Sequence, residues 1–583
     1  MKKEEKIEAK RHTLAHLLAA AIAELYPDAK RAIGPAIENG FYYDFEFSSP
    51  LSENELPKIE KKMREILLSW DTFTRFEVSK DEARKEFNGN PYKVELIEEF
   101  AKEGEKLTIY QSGTFRDLCR GGHSENPAKD IAPDVFKLSH IAGAYWRGDE
   151  KNKMLTRIYG LAFETRKELD AYTEQREEAK KRDHKKLGAE LDLFIIDEKV
   201  GRGLPMWTPK GTIIKFEMEN LARTLEKKYG YEHVETPYLG SEELYKMSGH
   251  LDHYKSSMYA PIDMDGEKYY LRPMACPHHI RMYQRKPWSY RDLPIRYAEI
   301  ADYNRYEKSG ELMGMIRARK FQLTDAHIFV SPEELKEEFK SVCTMIAEGM
   351  EALGLSEIVS YRFSKRDPNN KEKYYPNDSL WQKAESTMKE ALDELGFSYV
   401  EALDEAAFYG PKLDVQAKNV NGKEDTLFTA QMDFLLPEKF DIEYIDADGN
   451  KKRPVMIHRS TIGSLERVFG FLIEHYAGAF PLWLSPVQVK VLPISEKQVD
   501  YAKTIHKALK EKGIRTECDD SNETLGKKIR QGKLEKVPYL LVIGDREMEH
   551  HSVTLESRDN GNLGSMTIEQ LTEKLLADIA TKV

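Results

Sequence analysis

Residues 294–329 read PIRYAEIADYNRYEKSGELMGMIRARKFQLTDAHIF. Two runs rich in β-branched and aromatic residues flank a polar stretch around Gly310 and Gly314, the pattern of two strands joined by a loop. Arg305 precedes the loop, and Arg317, Arg319 and Phe321 follow it. Guanidinium forks beside an aromatic ring suit a phosphate and a base. An antiparallel hairpin with ordinary surface arginines accounts for the same residues.

Two neighbouring segments extend this reading. Residues 457–478, IHRSTIGSLERVFGFLIEHYAG, read as a strand end, a Gly-Ser break and a helix. Leu465, Val468, Phe469, Leu472 and Ile473 form a helical stripe, with Arg467 on the other face beside Gly470. Residues 211–239, GTIIKFEMENLARTLEKKYGYEHVETPYL, read as a long amphipathic helix and then a strand that meets Pro237.

The whole chain sets outer bounds. Its 583 residues suggest roughly three to five domains. With 40% hydrophobic and 32% charged residues, each domain can bury a normal core. The net charge of −11 excludes a global basic field, so any RNA contact rests on local patches. Four scattered cysteines (Cys119, Cys276, Cys343, Cys518) are no disulfide framework and fit a reducing compartment. No apolar run approaches membrane-spanning length, and MKKEEKIEAKR has neither the apolar core of a signal nor the acid-poor character of a transit peptide. A cytoplasmic protein is expected.

At the start, RHTLAHLL (11–18) sets His12 and His16 four apart. Leu14, Leu18, Ala21 and Leu25 form the apolar stripe, and both histidines fall opposite it, away from the core. DLCRGGHSEN (117–126) repeats the spacing with Cys119 and His123. One thiol and three imidazoles make either a zinc quartet or an acid–base cluster. Residues 165–188, TRKELDAYTEQREEAKKRDHKKLG, read as a solvated linker helix, with an RNA-backbone contact as the sharper alternative. From VQVKVLPI (487–494) to PYLLVIG (538–544), strands and helices alternate as a small α/β domain with a mostly parallel sheet.

Helix, hairpin and strand-helix, in that order, resemble motifs 1, 2 and 3 of the class II aminoacyl-tRNA synthetases. RPMACPHHI (272–280), QLTDAHIF (322–329) and VMIHRSTIGSLERV (455–468) resemble the three metal-bearing segments of the threonyl-tRNA synthetases. IGPAIENGFYYDF (33–45), AGAYWRGDEKNKMLTRIYG (142–160) and FYGPKLD (408–414) are similar to that family too. The resemblance implies an α+β multidomain chain. An N-terminal α+β editing domain (1–165), a helical linker (166–195), a class II antiparallel-sheet catalytic domain (196–482) and a C-terminal α/β anticodon-binding domain (483–583) are expected. It implies a homodimer acting on ATP, L-threonine and tRNA(Thr), with one Zn²⁺ per chain and Mg²⁺ accompanying ATP.

Carried over by position, the resemblance implies zinc ligands at Cys276, His327 and His458. Three protein ligands leave a position for substrate. It implies amino-group recognition by Asp325 and further pocket roles for Tyr409, Lys412 and Gln431. Arg305, Arg317 and Arg467 correspond to the arginines that hold ATP phosphates, Phe321 to the aromatic on adenine, and His250 to a histidine linked to the tRNA ribose. An editing site at His12, His16, Lys93, Asp117, Cys119 and His123 is implied, metal-free in this family. There a water held by the His and Lys side chains attacks the ester while Cys119 helps to measure substrate size. Arg530, Glu549 and Arg558 stand where the family reads anticodon bases, and GKKIRQGKLEK (526–536) supplies a local basic face.

The sequence also departs from the family. Only eleven residues precede His12, so the small extra domain usual before HxxxH is expected to be absent, and Leu323, Thr426, Phe428 and His278 replace usual residues at the pocket edge. His278 and His279, next to Cys276, are weaker candidates for metal ligands. Three other functions remain at this stage: a synthetase for another small amino acid, a non-catalytic RNA-binding paralogue, and a deacylase fused to a dead core.

Overall fold

The computed structural model describes residues 3–104, 106–420 and 422–582. It forms two compact units, Met1–Arg176 and Glu177–Val583. The division falls within the helix Arg166–Arg182, inside the expected linker.

In the first unit, an antiparallel sheet runs in the order Lys30–Arg31, Gly40–Glu46, Met154–Ala162, Phe136–Tyr145. Phe41, Tyr43 and Phe45 alternate into its core against the helix Lys3–Leu25. That helix departs from the sequence reading. Thr13, Ala15, His16, Leu17, Ala19 and Ala20 are as buried as the stripe of Leu14, Leu18 and Ala21. The sheet and the helix Leu56–Leu67 both join its core, and the alanines let neighbours approach closely. A second sheet, Thr74–Glu77, Thr108–Ser112 and Phe115–Leu118, ends beside Cys119.

In the second unit, an eight-stranded sheet has the order 232–233, 295–304, 320–330, 455–464, 424–433, 412–418, 359–365, 399–403. Only its two outermost pairs are parallel. The hairpin read from 294–329 is present as Ile295–Asn304 paired with Lys320–Val330. The helices Pro209–Lys228, Leu335–Ala352 and Leu465–His475 contribute to the core beneath the sheet. Leu465–His475 is buried well beyond its stripe, with Glu466, Phe471 and Glu474 inside as well. The helix His184–Glu190, expected as solvated linker, buries His184, Leu187 and Gly188.

The C-terminal sheet runs Thr516–Cys518, Val489–Pro493, Tyr539–Ile543, Ser552–Ser557, Gly561–Thr567. Its first two pairs are parallel and its last two antiparallel, so the expected mostly parallel sheet is mixed. The added hairpin lies in a polar stretch with weak apolar alternation. Among the described residues, no helix is long and apolar enough to cross a membrane.

Candidate active sites

Sheet register assembles the first site. His327 and His458 are direct cross-strand partners, and Gln431 faces His458 from the other side. Cys276 opens the helix Cys276–Tyr283. The candidate ligand atoms of Cys276, His327 and His458 lie within 4.8 Å of one another, and all three residues are buried.

Two residues hold these imidazoles from behind: His279, which the sequence offered only as a ligand candidate, and Asp433, which it did not assign. His279 Nδ1 lies 2.8 Å from His327 Nδ1, and His279 Nε2 lies 3.0 Å from Glu299. Asp433 lies 2.7 Å from His458 Nε2. Carboxylates of this kind fix the ring orientation and tautomer of metal-binding histidines. They leave His327 Nε2 and His458 Nδ1 for a metal. Burial, with the nearby His279, His458 and Arg459, drives the His327 pKa well down, so its ring stays neutral. Burial opposes the Glu299 charge, but hydrogen bonds from His279 and Arg272 hold its carboxyl at about 2. A soft sulfur, two imidazoles and supporting carboxylates fit zinc. His278 instead contacts the Leu239 carbonyl at 3.1 Å, so it is not a competing ligand.

The cluster opens on a cavity of about 340 Å³. Asp325, Tyr409 and Gln431 line it beside the cluster, together with Arg305, Arg317, Phe321 and Arg467. Tyr303 donates its hydroxyl to Asp325, whose pKa burial raises. Tyr409 donates to Gln431. The Arg305 guanidinium lies 5.2 Å over the Phe321 ring. Gly463, at φ +93°, turns the strand into the helix, and Ser464 accepts from the Arg467 backbone N–H. Arg467 donates to the Thr426 and Ile316 carbonyls at 2.6 and 3.1 Å. Burial and then the Arg305 charge lower the Arg467 pKa, so an anion between them would relieve repulsion. Arg317 pairs with Glu307 and Glu311.

Three expected residues sit apart from the cavity lining. Lys412 pairs with Asp414 at 2.9 Å. His250 contacts Ser248, Met274 and, at 3.9 Å, the Cys276 sulfur. Arg319 bonds to the Arg202 and Glu307 carbonyls as part of the scaffold. Leu323, Thr426 and Phe428 do line the cavity, and Gln416 donates to the Thr426 hydroxyl.

In the first unit, His12, His16, Cys119 and His123 also bring ligand atoms within 4.8 Å of one another. Cys119 and His123 come from a loop in which Gly121 and Gly122 take φ of +101° and +86°, so their spacing is not helical. The Cys119 sulfur lies 3.5 Å from His12 Nε2 and 3.4 Å from His123 Nε2, and it accepts the Gly121 N–H. His16 Nδ1 lies 3.4 Å from Asp117. Lys93 is buried and gives its ammonium to Asp117 at 2.7 Å and Tyr43 at 3.1 Å. It therefore anchors Asp117 and is poorly placed to hold the expected water. Tyr43 donates to Asp117 at 2.6 Å. This tyrosine was missed, although a phenol on the buried face of a strand needs a partner.

Electrostatics here favour an ion pair. Burial opposes the His16 cation, but the charge on Cys119 and the hydrogen bond to Asp117 raise its pKa to about 9. Burial likewise opposes the Cys119 thiolate, yet His16 and hydrogen bonds from His12 and His123 bring it down to about 3. Burial lowers His123 to about 4, leaving it neutral at pH 7.

In the C-terminal sheet domain, Arg530 and Glu549 are exposed. Arg558 differs: it bonds the Phe480 and Lys536 carbonyls and pairs with Asp559, so most of its donors serve the fold. Lys528 is buried against the Pro493 and Asp519 carbonyls, which removes it from the expected basic face.

Comparison with known proteins bears on all three domains. Residues 254–476 match the tRNA synthetase class II core domain (G, H, P, S and T), 488–578 an anticodon binding domain, and 107–159 the threonyl and alanyl tRNA synthetase second additional domain. A threonine–tRNA ligase of Clostridium botulinum (strain Alaska E43 / Type E3) is 51% identical over 579 residues, 99% of this chain and 89% of that relative. The chain belongs to the threonine–tRNA ligase family. A family member from Anoxybacillus flavithermus (strain DSM 21510 / WK1) is 49% identical over 99% of the chain and 89% of its own length. Among solved structures, the RNA binding domain of threonyl-tRNA synthetase from Cryptosporidium parvum Iowa II superposes with a TM-score of 0.64 at 36% identity. It covers 68% of this chain and 98% of that one. The expected fold class, a class II core with editing and anticodon-binding domains, stands.

Proposed function

We infer that the protein activates L-threonine with ATP, transfers it to tRNA(Thr), and hydrolyses mischarged seryl-tRNA(Thr) in its N-terminal unit. The observation that carries this reading is the joint lining of one cavity by Cys276, His327 and His458 and by Arg305, Phe321 and Arg467.

Cys276, His327 and His458 would hold zinc, which when bound supplies a Lewis-acid position that a substrate amine and hydroxyl can complete. Asp325, oriented by Tyr303, is the acceptor for the amino group. Threonine carboxylate attacks the α-phosphate, where Arg305 stabilises developing charge; Arg317 and Arg467 position pyrophosphate, with Mg²⁺ accompanying it. Phe321 supports adenine. The terminal tRNA hydroxyl then attacks the carbonyl carbon of the mixed anhydride and AMP leaves, with His250 serving this transfer. In the editing site, a water among His12, His16 and His123 attacks the seryl ester while Cys119 gauges substrate size. Arg530 and Glu549 contact the anticodon. The active form is a cytoplasmic homodimer.

The test combines ATP–pyrophosphate exchange over threonine, serine, proline and valine with deacylation of seryl- and threonyl-tRNA. Exchange should favour threonine and reject valine. Seryl-tRNA should be cleared by wild type and not by His16→Ala or Cys119→Ala, with threonyl charging kept in all three. Threonine-independent exchange, or equal clearing by the variants, overturns the reading.

A further inference from the structure

The loop that carries Arg317 is held from three sides. Met313 and Arg317 exchange backbone hydrogen bonds at 3.1 and 3.2 Å, closing a tight turn in which Gly314 takes φ +52°. The Ile316 carbonyl accepts from Arg467 Nε. The Ile316 side chain lies in a notch at Gly470, where an added Cβ would come within 2.7 Å of Ile316 Cγ1. The third holder is His184, at the start of the helix His184–Glu190.

His184 is 2% exposed. Its Nδ1 lies 2.8 Å from the Glu474 carboxylate, and its Nε2 lies 3.3 Å from the Met315 backbone nitrogen. An ionised carboxylate can only accept, so the ring proton sits on Nδ1 and Nε2 offers its lone pair to the Met315 N–H. The ring stands directly over the turn: a Cβ on Gly314 would lie 2.3 Å from His184 Nε2. Glu474 belongs to the same helix, Leu465–His475, as Arg467 and Gly470. All three restraints therefore refer the loop to one rigid element.

We propose that His184 is a positioning residue of the ATP site, latching the loop that carries Arg317 to the helix that carries Arg467. The proposal rests on the reading of these arginines as ATP-phosphate ligands. Fixing Met315 and Ile316 fixes the backbone from which Arg317 springs, so the two guanidiniums keep a set separation for one polyphosphate. His184 lies just downstream of the helix in which the two units divide.

A graded series tests this in the full-length chain. His184→Gln keeps an acceptor for Met315 and a donor for Glu474. His184→Asn keeps the donor to Glu474 and loses reach to Met315, so the buried carboxylate stays satisfied and folding is protected. His184→Ala removes both. KM for ATP in threonine-dependent exchange should rise roughly tenfold in Asn, and at least as much in Ala, as expected for losing one buried hydrogen bond that orients a ligand group. KM for threonine should stay within about twofold of wild type, the Gln variant should recover most of the loss, and amide exchange at Met315 should quicken in Asn. A folded Asn variant with wild-type KM for ATP and unchanged Met315 exchange overturns the proposal, as does an equal rise in both KM values. Loss of threonine-dependent exchange in wild type would instead refute the functional reading beneath it.

Discussion

The ion pair between Cys119 and His16 makes a measurable claim about alkylation. The perturbation is His16→Ala, in a Cys518→Ser background that removes the other half-exposed thiol. With a pKa of about 3, Cys119 is a thiolate throughout the range from pH 5 to 8. Replacing His16 removes its main compensating charge, and burial then pushes the thiol up toward the ordinary value of about 8.5. At pH 6 a thiol of that kind is only about 0.3% thiolate. A rate comparison at one pH would nevertheless mislead. Nucleophilicity falls with pKa at a Brønsted slope of about 0.4–0.5, so a drop of about 5.5 units slows the thiolate roughly 150- to 600-fold. The two effects nearly cancel at pH 6.

The slope against pH separates them. The sign follows from the cited shifts: a group at about 3 loses its charge only as pH falls through 3, and its partner at about 9 stays protonated until pH rises through 9. Iodoacetamide labelling of the Cys119 peptide, followed by mass spectrometry, should be flat from pH 5 to 8 in wild type. In His16→Ala it should climb up to tenfold per unit. A wild-type rate climbing tenfold per unit would refute the ion pair.

Two further outcomes are expected. Glu299→Gln should weaken zinc binding roughly 10- to 100-fold, because the support behind His279 and His327 changes; competition with a chromophoric chelator reads this directly, and unchanged affinity would remove Glu299 from the site. Light scattering at micromolar concentration should give the mass of a dimer, and a fully active monomer would reject the twofold arrangement.

The hairpin of 294–329 was legible because alternation, loop polarity and paired arginines sit together in sequence. The same is true of the strand-to-helix turn at Gly463, whose left-handed backbone the Gly-Ser break marks. The first helix was misread because periodicity reports one apolar face and cannot show that the other is packed too. His279, Glu299 and Asp433 were invisible as supports for a different reason. Asp433 and His458 meet only because their strands lie side by side, two register positions apart, and His279 meets His327 across 48 positions of chain. At Arg558 a matching position suggests recognition, while the side chain is seen bonding its own fold through the Phe480 and Lys536 carbonyls.

The two cysteine–histidine clusters use the same donor types and differ in charge balance, and this bears on which of them takes a metal. Around Cys276, burial and the carboxylates Asp325 and Asp433 all raise the thiol. His327 is driven neutral, so it offers a thiolate there no positive charge. Arg305 offsets this in part, and an added cation such as zinc would compensate it further. Around Cys119 the compensation is internal, because His16 carries the positive charge and Asp117 anchors it. A metal entering that cluster would have to compete with its proton. The chemistry asked of each site runs in parallel. A hydroxyl-reading site can reject valine strongly, but serine lacks only a methyl, worth about 1–3 kcal/mol or roughly 10- to 200-fold. The second site must therefore hydrolyse an ester, which calls for a held water and side chains that can pass its protons, and the His12 and His123 rings beside the His16–Cys119 ion pair are placed for that.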